Sequence, residues 1–238
     1  KLIGCAAIIL VGLSYKIEKN YLSPGLDILK KISKTSLDNT GFPKTRSIKQ
    51  LVFYLKYFIL IREWFREAQI TVPEHVEETI YYLGQGYAFI WQNVKIDLFF
   101  NGNTNSNNYE FDSYLQRLGY KFKNENHDFG GYVVFKDKKT GLVMDVGSTP
   151  NQKYTKDYQS GALSFEIIRN GKKLISNCGY FNRENPKLNE ISKSTATQST
   201  LIIDDHSSCN IDHTSNVSKG LKILKKITVF EKNYWKIN

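Results

Sequence analysis

Cysteine is scarce: Cys5, Cys178 and Cys209 are the only three in 238 residues. Three thiols cannot all pair, and their wide spacing fits neither a zinc nor a redox motif. A disulfide scaffold is therefore excluded, and the cysteines read as small buried hydrophobes. The four histidines, His75, His127, His206 and His213, fall at a helix start and in three loops, and each reads as a solvated side chain rather than a base. The apolar run at residues 2–13 is too short to span a bilayer. It is not a secretion signal either, because its apolar core follows Cys5 and neither a basic segment nor an initiator Met precedes it. The run reads as a buried helix in a chain whose natural start lies upstream, and both bacterial periplasm and cytoplasm stay open as compartments. Charge is present without being concentrated. The net charge of +10 and pI near 9.3 suggest a polyanionic partner. With no basic block, no arginine-rich helix and no RNA-binding signature, nucleic acid is not the expected one.

A hydrophobic content of 41% suits one large domain or two modest ones. Helical periodicity runs through residues 2–13, through 21–32 (entered at Ser23-Pro24) and through 46–69. Thr71 and Glu74 have capping-box spacing and open a helix that reaches Trp91. An Asn-rich loop follows at 98–109, then a short helix at 111–118. From Gly131 the period changes to two: residues 132–135 and 142–146 form one hairpin, and Asn170-Gly171 turns a second. Beyond that point the pattern predicts strands only, the last over 222–231. The expected fold is α+β with the two kinds of element segregated: a helical part over 1–125, an antiparallel β part over 126–238, and a boundary near 119–130.

Residues 157–205 hold the densest signal. Ser160-Gly161-Ala162-Leu163-Ser164-Phe165-Glu166, Leu174-Ile175-Ser176-Asn177-Cys178-Gly179 and Ser194-Thr195-Ala196-Thr197-Gln198-Ser199-Thr200-Leu201 stand in that order. Together they resemble the β-domain core of the heparinase II/III-like family of polysaccharide lyases. Four further segments are similar to family elements: Thr40-Gly41-Phe42-Pro43-Lys44-Thr45-Arg46-Ser47, Phe99-Phe100-Asn101-Gly102, Gly131-Tyr132 and Asp145-Val146-Gly147. The resemblance implies part of an α/α toroid followed by an antiparallel β-sandwich domain, with a substrate groove between them. The family's fold extends at both ends, so the chain reads as a fragment covering the end of the toroid and the start of a truncated β-sandwich.

The resemblance also implies β-elimination on an acidic, uronate-containing polysaccharide. That reaction needs a group to neutralise the sugar carboxylate, a base for the adjacent proton and an acid for the leaving oxygen. Carried over by position, the family's His-x-His pair falls on Asp157 and Gln159, its Asp on Asn177 and its last His on Gln198. Neutral amides are poor zinc ligands, so no metal and no other cofactor is expected; Asp157 with amides would suit calcium better than zinc. Cys178, on the opposite face of a strand from Asn177, is not expected to replace a ligand. Gln159, Asn177 and Gln198 are expected to tie three strands together by amide hydrogen bonds, or else to face the groove and bind sugar hydroxyls. Phe42 or Pro43 stands where the family's loop has its His, while Arg46 remains a candidate to neutralise a uronate, with a surface-paired Arg as the alternative. Tyr109 and Tyr132 are candidate bases. The positional site set is thus Arg46, Gln159, Gln198 and Asn177. Two alternatives remain: a non-catalytic carbohydrate-binding protein on the same fold, and a hydrolase using two carboxylates among Asp97, Glu110 and Asp112. Nothing in the sequence fixes the oligomeric state.

Overall fold

The computed structural model describes residues 1–15, 19–103, 108–181, 185–212, 216–231 and 234–237. The helices come first: α1 (Leu2–Ser14), α2 (Lys19–Ser36), α3 (Ile48–Glu67), α4 (Glu74–Tyr87), which runs on as a π-turn over Ala88–Gln92, and α5 (Asn108–Arg117). A meander follows, made of β1 (Asp128–Phe129), β2 (Tyr132–Lys136), β3 (Thr140–Asp145), β4 (Phe165–Arg169) and β5 (Lys172–Ile175), antiparallel and adjacent in that order. A short helix, α6 (Pro186–Lys193), then precedes two small hairpins, β6 (Asn210–Ile211) with β7 (Val217–Lys219) and β8 (Thr228–Phe230) with β9 (Trp235–Ile237).

The helical layer is held by spaced apolar residues that share one face. On α3 these are Ile48, Leu51, Leu55, Phe58, Ile59 and Phe65, all buried, and each contributes about 1.5–3 kcal/mol by leaving water. Gly12 on α1 has backbone atoms of Leu22 2.7 Å from where a Cβ would sit, so α1 and α2 approach at the closeness that only glycine permits. No described helix is long and apolar enough to cross a membrane.

The sheet has two buried faces. Tyr132, Val134, Val143 and Ile168 join the core of the helical layer. Val133, Phe135 and Val146 face the other way and are covered by Phe230 and Ile237 of the β8–β9 hairpin. Alternation along β2 thus serves two cores at once. The Asn170-Gly171 turn forms as the sequence predicts, both residues having positive φ (51° and 72°) as a tight two-residue hairpin requires.

The structure departs from the sequence reading in five places. Pro24 lies inside α2 rather than at its entrance. The Thr71–Glu74 capping box does not form: Pro73 takes the cap position without a side-chain bond, and Glu74 and Glu77 place negative charge on the first turn instead. The region after Gly131 is not all strand, because Asn185 caps α6 by accepting from Leu188 N and Pro186 occupies its first turn; that start signal was present in the sequence. Residues 194–201 make a 3-10 turn at Thr195–Thr197 rather than a strand. Within 222–231 only Thr228–Phe230 pairs.

Candidate functional site

Two buried polar clusters lie where the helices meet the sheet. The first is centred on Arg46, which precedes the α3 cap Ser47 with a φ of 58° and is 8% exposed. Its guanidinium is ion-paired with Asp145 and donates to Gly131 O at 2.8 Å and Ser148 O at 3.2 Å. Its Cζ sits 5.1 Å from the Tyr132 ring centroid. Burial, the largest single influence, would lower the Arg46 pKa, but the Asp145 carboxylate together with Tyr132 and Tyr158 reverses it and the guanidinium stays charged. Asn101 Nδ2 bridges Tyr132 Oη (2.7 Å) and Asp145 Oδ2 (3.0 Å), and the Tyr132 hydroxyl donates to Arg46 O at 2.6 Å. A Cβ on Gly131 would lie 2.6 Å from Arg46 Nε, and one on Gly147 would collide with the same guanidinium. The dispersed segments around Arg46, Asn101, Tyr132 and Asp145 are therefore one cluster in space.

The placement changes the reading of several residues. Arg46 is neither groove-lining nor surface-paired; its two Nη groups are engaged inside the junction. Tyr132 is fully buried and burial raises its pKa, so it has no path to a substrate proton. Phe42 and Pro43 are both buried, Phe42 meeting Phe129 edge-on and Tyr132 at a tilt. Tyr109 is exposed on another face, packed edge-on to Trp91 with its hydroxyl on Lys95 O.

The second cluster contains the three amides. Gln159 Nε2 donates to Gly179 O (2.9 Å) and Ser192 O (2.7 Å), while its Oε1 accepts from Gly102 N at 3.1 Å. Gln198 Nε2 donates to the same Ser192 O at 2.9 Å. Asn177 Oδ1 accepts from Ser199 N at 2.9 Å, but its buried Nδ2 has no partner. The amides thus hold backbone rather than one another, and Ser192 of α6 joins the two glutamines. Gln159, Asn177 and Gln198 are 1%, 3% and 8% exposed. Beside them, Glu166 Oε1 accepts from Phe99 N and Asn177 N while its Oε2 meets Lys173 Nζ at 2.9 Å. Burial raises the Glu166 pKa against the pull of Lys173. The sequence signal for this pair was an acid on the inward side of β4.

A zinc ion does not fit the amide cluster. Both glutamine side chains present Nε2 donors to a carbonyl, and a donor hydrogen cannot coordinate a cation. No group of three His, Cys, Asp or Glu side chains stands close enough to hold a metal among the described residues. Cys178 is not shielded from the cluster as strand alternation suggested: β5 ends at Ile175, and Gln198 Nε2 lies 3.8 Å from Cys178 Sγ. Cys178 is also exposed, whereas Cys5 and Cys209 are buried.

Above the junction opens a polar cleft of about 170 Å³, lined by Thr45, Gln50, Asn101, Lys153, Lys156 and Asp157 among others. Lys153 lies over the Tyr154 ring at 4.9 Å, and Tyr154 donates to Thr35 O on α2, tying this segment to the helices. Asp157 Oδ1 accepts from the Tyr180 hydroxyl at 2.9 Å. Sequence reasoning singled out Asp157 but missed Lys153, Lys156 and Tyr180, which stand in irregular segments without periodicity to flag them. The carboxylates considered for hydrolysis do not converge: Asp112 bonds Tyr87 and Gln116, Asp97 bonds Asn108, and Glu110 lines a separate open surface. Among the histidines, His127 stacks on Phe230, His206 is exposed, and His75 has a buried Nε2 without a partner. His213 lies outside the described residues.

Residues 125–238 match the family model for Heparinase II/III-like, C-terminal. No curated protein sequence matches the chain. Among solved structures, heparinase III superposes with a TM-score of 0.70 at 16% identity, covering 95% of this chain and 41% of that one. A heparan sulfate lyase from Pedobacter heparinus gives 0.69 at 16% identity over 87% of this chain and 37% of that one. A second heparinase III structure gives 0.70 at 17% identity, with 96% and 39% covered. At such identities the likeness shows the fold, and the chain spans about two fifths of the length of these structures.

Proposed function

Residues 125–238 match the family model for Heparinase II/III-like, C-terminal, and from that match we propose that the chain, organised as units 1–125 and 126–238, binds an acidic, uronate-containing polysaccharide and cleaves it by β-elimination. The observation that carries this reading is the cleft at the junction. Lys153, Lys156 and Asp157 line it, and the Asp157 carboxylate accepts from the Tyr180 hydroxyl next to the cleft. The superposed heparan sulfate lyase supports the substrate class. The lysines would neutralise the sugar carboxylate and so acidify the proton on the carbon beside it. Tyr180, with Asp157 to accept its proton, is the candidate for the transfer to and from the sugar. The electron pair left by that proton forms the new carbon–carbon double bond as the neighbouring glycosidic oxygen departs and is protonated. No water attacks, which separates this chemistry from hydrolysis. Arg46, Gln159, Asn177 and Gln198 act here as positioning residues, fixing the walls of the cleft.

The test is incubation with uronate polysaccharides while ultraviolet absorbance of the unsaturated product is followed. A steady rise is expected, and Tyr180→Phe should slow it at least about tenfold while binding is unchanged. A second reading, a carbohydrate-binding protein without catalysis, is favoured by one observation: the glutamines at the family's histidine positions are spent on Ser192 O. Binding without any product would establish that reading and remove the first.

A further inference from the structure

A second cleft, of about 430 Å³, lies on the helical face, and it shares no lining residue with the junction cleft. Its walls come from the end of α4, the π-turn, α5 and the segment after α5. Tyr120 and Phe122 present half-exposed rings 5.7 Å apart and tilted by 31°. Phe122 is fixed there because its ring lies directly on Gly84 of α4, where any Cβ would overlap it. Behind these rings Tyr87 and Trp91 stack at 6.4 Å, both almost wholly buried. The rim carries Lys95, Lys121 and Lys123, all exposed and without a carboxylate partner among the described residues. Lys95 also lines an adjoining cavity of about 290 Å³, where Lys136, Lys138 and Lys139 stand near Asn170-Gly171. The two cavities thus share the Lys95 side chain.

We propose that this face is a second binding track for the acidic polysaccharide, holding the chain outside the junction cleft. The inference rests on the substrate class proposed above and deepens it. The half-exposed Phe122 ring gives a sugar an apolar surface beside Tyr120, whose own ring carries the Arg62 guanidinium at 5.3 Å; Gln92 and Gln116, whose Nε2 groups already donate to Phe122 O and Asp112, offer their Oε1 atoms as acceptors to hydroxyls. Asp112, already bonded to Tyr87 and Gln116, can still accept a sugar hydroxyl. The lysines supply unpaired positive charge for carboxylate or sulfate groups along the polymer. A chain long enough to occupy both the track and the junction cleft gains affinity by linkage, so the track predicts a dependence on length.

The test compares binding of a sulfated uronate tetrasaccharide with that of a long polymer of the same sugar, in the wild type, in a Lys95→Gln/Lys121→Gln/Lys123→Gln variant, and in a Lys30→Gln/Lys31→Gln/Lys34→Gln control that removes equal charge from exposed positions on α2. The wild type and control should bind the long polymer at least about tenfold more tightly than the tetrasaccharide. The track variant should lose that advantage and keep its tetrasaccharide affinity. If the track variant keeps the length dependence while the tetrasaccharide still binds, the track is refuted and the junction reading stands. If the tetrasaccharide does not bind but the polymer does, and only the track variant abolishes it, the track stands and the junction reading falls. Equal loss in the control overturns the track, as does a single-stranded DNA oligonucleotide that binds as tightly as the polymer and is lost in the same variant.

Discussion

The two buried clusters at the helix–sheet junction join the same parts of the chain by different chemistry. The Arg46 cluster uses a full charge pair with Asp145, joined by Tyr132 and Asn101, and with the Gly131 and Ser148 carbonyls it satisfies every guanidinium nitrogen but Nε. The amide cluster is neutral and works through backbone, Gln159 reaching Gly102, Gly179 and Ser192 at once. Both hold the loop after Leu98 against the sheet: Asn101 is bound in the first and Gly102 in the second. The difference lies in what happens when one partner is removed. A charged cluster leaves an uncompensated ion in the interior, whereas a neutral one leaves only an unsatisfied dipole.

The largest effect therefore belongs to Asp145. Asp145→Asn keeps the shape but strands the Arg46 guanidinium, and a loss of about 3–5 kcal/mol in unfolding free energy is expected from urea titration. The double variant Arg46→Met/Asp145→Leu should recover part of that loss, because it removes both charges together. A double variant as unstable as the single one would show that the charge pair is not what distinguishes this cluster. Gln159→Leu comes next. It removes two donors and one acceptor and leaves Gly102 N without its partner, so about 1–3 kcal/mol is expected in the same titration. A loss as large as that of Asp145→Asn would erase the contrast between charged and neutral clusters.

The sequence disclosed the elements of both clusters more readily than their roles. Periodicity located α3, and the hairpin residues located β2 to β5, because those signals are local. Arg46 was singled out for its charge, yet its partner Asp145 is distant in sequence and the pairing exists only once β3 packs against the start of α3. The same holds for Ser192, an unremarkable residue whose carbonyl receives both glutamines because α6 passes beneath them. Lys153, Lys156 and Tyr180 were not visible beforehand, since irregular segments carry no period and their grouping is purely tertiary. The Asn-Pro start of α6 could have been read, and the neighbouring β pattern outweighed it.

The smallest effect concerns Asn177, and it sharpens the comparison within the neutral cluster. Asn177 has one productive polar atom: Oδ1 accepts from Ser199 N at 2.9 Å and from Ser199 Oγ at 3.2 Å, while Nδ2 is buried without a partner. Deleting the side chain therefore removes a stabilising acceptor and an unfavourable buried donor together, and the two changes offset. Asn177→Ala should cost about 1 kcal/mol, less than Gln159→Leu although both residues are equally hidden from solvent. Asn177→Asp separates the two contributions. It retains the acceptor for Ser199 and replaces the orphaned donor by an oxygen, but it also introduces a carboxylate into a site where Asn177 N already binds Glu166 Oε1. Its stability should be lower than that of Asn177→Ala near neutral pH and should rise as the solution is acidified, because a buried carboxyl near another acid has a raised folded pKa and contributes least when ionised. A pH-independent difference between the two variants in urea titrations from pH 4 to 8 would show that the orphaned donor, and not charge, sets the behaviour of this position.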